Sequence, residues 1–292
     1  MKKDDMKAYA GVMIAVLIAA CLALAGSQDS VMVFGVMPLF ALCIAIAFAI
    51  QWVAYVPSYI ARTEKFYDLT GSFTYITIII IALIMTGRFD IQSLILTGLV
   101  LVWTCRLGFF LFRRILRAGE DTRFKELKKS ASRFLLAWTI QGLWVSFTAA
   151  AALAALTAMQ QTEFGTIGII GLCVWITGFA FESIADYQKG GFTGAPENSG
   201  KFINVGLWSI SRHPNYFGEI VIWIGIAIIS FPSLEGWRLV TLISPIFVAT
   251  LITQISGVPI LEKFADEHWG GQKDYEEYKK STPVLIPRLP FM

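Results

Sequence analysis

Arg212, His213, Asn215, Tyr216 and Glu219 fall within eight residues, Arg212-His-Pro-Asn-Tyr-Phe-Gly-Glu219. A guanidinium, an imidazole, an amide, a phenol and a carboxylate so close together can bind an anion, orient a polar ligand or move a proton. Pro214 fixes its own φ and pushes His213 out of the helical region. It therefore suits the first turn of a helix, where a missing N–H costs nothing. The stretch then runs directly into an apolar segment. Polar groups at such a mouth are expensive to bury in lipid. They form either an interfacial cap, with Arg212 toward headgroups, or a ligand site, and spacing alone leaves both open.

Other residues carry the same ambiguity. Arg106 lies inside an otherwise apolar run, Trp103-Thr-Cys-Arg106. An intramembrane arginine must snorkel, pair with an acid or bind an anion. Glu182 and Asp186 are four apart and share a helical face. Two acids there need a partner, a bound group or water. Asp68, after Lys65-Phe-Tyr67, is an N-cap type at the head of an apolar run. The loop at 113–133 carries Arg113, Arg114, Arg117 and Arg123 with Glu120 and Asp121 among them. Charge runs are usually solvated or bind anionic lipid. Carboxylates among the arginines favour a folded pocket for a polar ligand instead.

These residues are positioned by membrane spans. The chain has 292 residues, 56% hydrophobic and only 15% charged, which excludes an ordinary soluble domain. Apolar runs long enough to cross a bilayer fall near 9–26, 34–60, 69–87, 91–112, 134–158, 166–185, 217–233 and 239–258. The first is read as a retained span, not a signal peptide, because another span follows closely. Eight spans put both termini on one side. Of the 24 Lys and Arg, 21 fall in the segments on that side and two, Arg88 and Arg238, on the other. The positive-inside rule then makes both termini, and the clusters above, cytoplasmic.

Several classes drop out. A net charge of +3 gives no reason to expect nucleic acid. Cys21, Cys43, Cys105 and Cys173 lie in apolar segments without metal-ligand spacing, so neither a zinc site nor a disulfide framework is implied. The turn-rich stretch at 190–200 contains no GxGxxG after a strand, and no P-loop is present. The tail from 259 is expected to be a short amphipathic cap, closing in a proline-rich segment that is either free or folded back.

Taken together, Arg106, the Gly-Glu-Asp-x-Arg-Phe block, Ala185-Asp186 with Gln188-Lys189, Gly-Leu-Trp-x-x-Ser-Arg-His-Pro-Asn-Tyr-Phe-Gly-Glu, and Ser-Gly-Val-Pro-x-Leu-Glu262-Lys resemble the bacterial branch of the steroid 5-alpha-reductase family of integral membrane reductases. The resemblance covers roughly residues 55–290. It implies an all-α polytopic bundle: a seven-span core plus an extra N-terminal span, with a cytosol-facing cofactor cavity in a bacterial cytoplasmic membrane. One membrane domain, 1–292, is expected. Within it, 1–60 would hold the N-terminal spans, 61–133 the substrate-side spans and basic loop, 134–258 the cofactor-binding spans, and 259–292 the cap.

The resemblance further implies NADPH, held by Arg106, Arg117, Arg123, Asp186, Lys189, Arg212, His213, Asn215, Tyr216, Glu219 and Glu262. Guanidinium groups suit the phosphates. The implied substrate is a 3-oxo steroid with a 4,5 double bond, or a similar apolar enone, entering from lipid. Hydride goes to the β-carbon, and a donor at the carbonyl oxygen lowers the barrier. Asp68 aligns with the acid that the animal enzymes use there. Their tyrosine is replaced by Trp103, which donates one N–H but delivers no proton. Tyr67, Tyr59 or water then supplies it. The wider superfamily includes methyltransferases of the isoprenylcysteine type, which use S-adenosylmethionine. That cation calls for no arginine cluster, so the basic residues favour the reductase. A transporter is disfavoured because no internal repeat is present.

Overall fold

The computed structural model describes residues 3–119, 121, 124–160 and 162–288. They form an almost wholly helical membrane bundle. Long helices are α1 (Lys3–Gly26), α2 (Leu39–Ile60), α3 (Tyr67–Thr86), α4 (Ile91–Ala118), α5 (Ala131–Thr148), α7 (Thr166–Gly194) and α8 (Pro214–Ser230). Shorter ones are α6 (Ala150–Leu156), α9 (Ser244–Thr250), α10 (Gly257–Trp269) and α11 (Lys273–Ser281). A two-stranded antiparallel turn, Met32–Val33 with Met37–Pro38, joins α1 to α2. Among the described residues, seven helical segments are long and apolar enough to span a membrane. The pair α5–α6, bent by 56°, makes an eighth segment. The eight expected runs are thus recovered, and the protein is an integral membrane protein.

The chain divides into two compact units. The first is Met1–Gly165 with Ile229–Ser244, and the second is Thr166–Ile228 with Pro245–Met292.

In the first unit α1 packs on α5 and on the 3₁₀ segment Gly236–Ile243. Asp5 accepts from Ser130 Oγ (3.1 Å) and Ser132 Oγ (2.5 Å), and Gln28 Oε1 accepts from the Trp237 N–H (2.6 Å). The first span is therefore built into this unit at both ends. Between α2 and α3, Gln51 Nε2 donates to Thr74 Oγ1 at 2.7 Å, which satisfies two polar groups away from water. The α5–α6 break has no proline. Ser146 Oγ bonds back to the Gly142 carbonyl, and Ser244 Oγ donates to the Thr148 carbonyl at 2.5 Å. A hydroxyl thus takes a carbonyl at the break, and back-bonding of this kind bends helices.

The second unit is held by close approach of α7 and α8. A Cβ at Gly178 would lie 2.6 Å from the Ile222 backbone N, and one at Gly225 2.6 Å from the Trp175 backbone N. Without a hydrophobic drive between helices in lipid, small residues that let backbones meet set the packing.

Two boundaries differ from the sequence reading. α7 runs through Gly190-Gly191 to Gly194 instead of ending near 185. Thr193 Oγ1 caps the Lys189 carbonyl (2.9 Å) and Asn198 Nδ2 the Phe192 carbonyl (3.0 Å), which offsets the cost of the glycines. The last span does not stop at 258. A π turn, Leu251–Ile255, leads into α10, with Pro259 in its first turn, where a proline is tolerated.

Candidate functional site

α7 places Glu182 and Asp186 one turn apart, 2% and 6% exposed. Both sit where α8 comes closest: a Cβ at Gly218 would lie 2.5 Å from the Glu182 backbone N. One turn before Gly218, Asn215 Nδ2 donates to Asp186 Oδ1 at 3.3 Å. The glycine contact thus sets which α8 side chains meet the two acids.

The loop into α8 is pinned from both sides. Gln188 Oε1 accepts from the Leu207 N–H (2.9 Å), and Trp208 Nε1 donates to the Ala185 carbonyl (3.1 Å). Lys189 Nζ lies over the Trp208 ring, 4.8 Å from its centre. Gly206 stands here with φ +63 and the Gln188 amide against it, a conformation and a gap that suit glycine. From the other side Tyr278 Oη donates to the Trp208 carbonyl at 2.6 Å.

Glu262, on α10, closes on two residues of the loop. Its Oε2 is 2.6 Å from Arg212 Nη1, and its Oε1 is 2.7 Å from His213 Nε2. The carboxylate accepts, so the His213 Nε2–H donates, and Nδ1 is left as an acceptor. Burial holds His213 below the ordinary imidazole value of 6.5, with Lys189 and Arg212 pushing the same way and Glu262 opposing. The ring is therefore neutral at pH 7. Tyr216 stacks on it with centroids 5.7 Å apart, and covers Gly257, where a Cβ would lie 2.7 Å from the phenol ring.

Three buried polar atoms here have no hydrogen-bond partner among the described residues: Arg212 Nε, His213 Nδ1 and Asn215 Oδ1. Buried polar groups are otherwise nearly always paired. One donor and two acceptors left over in one short stretch are what a polar ligand would satisfy. Among the described residues no group of three His, Cys, Asp or Glu is placed to hold a metal.

The second unit therefore brings Asp186, Asn215, Arg212, His213, Tyr216 and Glu262 into linked contacts, with Lys189 pinning the loop. Glu219 lies on α8 one turn past Asn215.

The first unit holds the other sequence-selected residues. Asp68 Oδ2 lies 3.6 Å from Arg114 Nη2. Tyr67 Oη donates to the Ala137 carbonyl (2.9 Å), and its ring packs on Phe124 (4.7 Å) and Trp138 (5.1 Å). Trp103 is buried on α4, and Arg106, one turn on, buries Nε and Nη2. The Arg117 side chain, Glu120 and Arg123 lie outside the described residues.

Two groups escaped the sequence reading. Tyr75 is buried on α3 and meets Trp103 edge-on at 5.2 Å. Its place seven residues after Asp68, on the same helical face, was the available signal. Glu64 is buried in the turn before α3. It accepts from the Asp121 N–H (2.8 Å) and pairs with Lys128 Nζ (2.5 Å), which ties down the basic loop. Nothing in its spacing marks it.

The profile of the family described as "Protein of unknown function (DUF1295)" matches residues 54–282. Over 122 residues the chain is 29% identical to 3-oxo-5-alpha-steroid 4-dehydrogenase 1 of Rattus norvegicus. That stretch is 41% of this chain and 40% of the rat protein. No solved structure matches. The chain belongs to the family described as DUF1295, whose model spans most of its length.

Proposed function

We propose that this protein is an NADPH-dependent reductase of the carbon–carbon double bond in a flat apolar enone, of the 3-oxo-Δ4-steroid kind. The observation that carries this reading is the Arg212–Glu262–His213 bridge with its unsatisfied atoms. The rat steroid dehydrogenase match supports it.

The residues fit a phosphorylated dinucleotide. Arg212, held by Glu262, offers Nε to a phosphate oxygen, and guanidinium is the best fork for that group. His213 Nδ1 and Asn215 Oδ1 accept from ribose hydroxyls or a carboxamide N–H. Lys189 adds charge beside the loop. When bound, the reduced nicotinamide supplies hydride. Three phosphates call for more than one cation, and the second unit supplies Lys189 and Arg212. S-Adenosylmethionine, a cation without phosphates, does not call for them.

On the substrate side, negative charge grows on the carbonyl oxygen as the β-carbon is reduced. A buried phenol donating there stabilises that charge. Tyr75, edge-on to Trp103, is such a phenol within a span. It takes the part that Trp103 cannot, and Arg106 adds a cation one turn along α4. The proton that finishes the α-carbon comes ultimately from water. Asp68 pairs with Arg114, and the Tyr67 hydroxyl is committed to the Ala137 carbonyl. The active-site mouth and both termini would be cytoplasmic, as the charge bias requires.

The test is loss of reduced-nicotinamide absorbance by purified protein against a panel of apolar enones, with NADPH binding measured in parallel. Saturable NADPH binding, lost in Arg212→Ala, is the expected result. Binding of S-adenosylmethionine in its place would overturn the reading.

A further inference from the structure

The last described segment, 281–288, is strapped to the loop that opens α8. The Arg212 N–H donates to the Pro283 carbonyl and the Arg288 N–H to the Ile210 carbonyl, both at 2.9 Å. Ser211 Oγ donates to the Leu285 carbonyl at 2.8 Å. Along this strap exposure alternates: Val284, Ile286 and Arg288 are exposed, and Pro283, Leu285 and Pro287 are half-buried. Ile286 is 71% exposed and Val284 38%.

Beside the strap lies an open groove of about 530 Å³, lined by Arg212, Lys280, Ser281, Thr282, Ile286 and Arg288 among others. Its cations are not equivalent. Arg212 is matched by Glu262 and Lys279 by Asp266 (2.5 Å). Lys280 and Arg288 form no ion pair among the described residues and are exposed. Two cations outside any ion pair and two exposed aliphatic side chains share one small surface.

Depth decides what such a surface meets. Arg212 stands two residues before Pro214, the first residue of the α8 span. The groove therefore opens where a span leaves the hydrocarbon, at the level of lipid headgroups. A soluble phosphate would use the cations and leave Val284 and Ile286 in water. A phospholipid uses both: phosphate oxygens on Lys280 and Arg288, and glycerol and the upper acyl chain against Val284 and Ile286. We propose that this groove is a binding site for the headgroup of an anionic phospholipid. The headgroup contacts fall on the exposed tail residues Lys280 and Arg288, while Arg212 of the proposed cofactor site lines the groove's inner side.

The experiment measures retention of phosphatidylglycerol against phosphatidylcholine by the full chain in detergent, using native mass spectrometry. Wild type should prefer phosphatidylglycerol, and salt should weaken that preference. The double variant Lys280→Gln, Arg288→Gln should lose about thirtyfold in phosphatidylglycerol retention and keep phosphatidylcholine unchanged. Val284→Ser with Ile286→Ser should weaken retention of both lipids. A wild type with no headgroup preference, or a charge variant with its preference intact, would overturn the site. So would displacement of the lipid by equimolar inorganic phosphate or NADPH, which would assign the cations to a soluble ligand. The wild-type salt series decides the matter even if a variant expresses poorly.

Discussion

Tyr75 and Trp103 meet edge-on, ring centroids 5.2 Å apart and planes at 89°, inside the paired helices α3 and α4. The contact puts a phenol beside the indole that occupies the expected place of a phenol. Tyr75→Phe keeps the ring and removes only the hydroxyl. Turnover of an enone substrate should fall by about 10² to 10³, the range for one lost donor to a developing oxyanion. NADPH affinity should stay within about twofold of wild type, because no cofactor contact is assigned to Tyr75. Steady-state kinetics beside direct cofactor binding separates the two. An unchanged kcat removes the phenol from the reaction.

Arg106→Leu tests the intramembrane cation. Leucine suits a span, so the thermal transition in detergent should not fall. Turnover should drop by at least about 10², the usual scale for one electrostatic donor. Full activity in this variant would mean that Arg106 merely reaches for the interface.

The α7–α8 contact makes a paired prediction. At Gly178 an added Cβ would lie 2.6 Å from the backbone N of Ile222, and backbone cannot step aside. Gly178→Ala should cost about 1–3 kcal/mol. It should also weaken NADPH binding, because Asp186 and Asn215 are aligned by the same packing. At Gly190, in the same helix, nothing lies within 4 Å of an added Cβ. Gly190→Ala should be neutral or stabilise by up to about 1 kcal/mol. Melting curves of the two variants, side by side, check both.

His213 gives the pH dependence. Burial depresses its folded value below the unfolded 6.5. The unfolded chain therefore takes up a proton more readily, and stability falls as pH drops below about 6.5. Above that value the histidine contributes no slope. The apparent Tm should fall between pH 7 and pH 5.5, and His213→Gln should flatten the dependence, since its amide N–H can still donate to Glu262. An identical slope in the variant would place the titration elsewhere.

The spans and the cluster from Arg212 to Glu219 were legible in the sequence. Bilayer thickness and the need to bond every backbone group inside the helix act on local composition alone. Pro214 at the head of α8 was legible for the same kind of reason, a fixed φ and a missing donor.

What only the tertiary structure decided depends on groups far apart in the chain. The bend after Thr148 relies on the hydroxyl of Ser244, and the run of α7 through Gly190-Gly191 on the amide of Asn198. Local propensity at 148 and 190 carries no trace of either. Glu262 closes on Arg212 and His213, and Asp186 meets Asn215. The Asp186–Asn215 pairing depends on backbone approach at Gly178, Gly218 and Gly225, whose missing side chains matter only once the facing helix is present. Residue types announce which chemistry is available. Which atoms meet is decided by packing across helices.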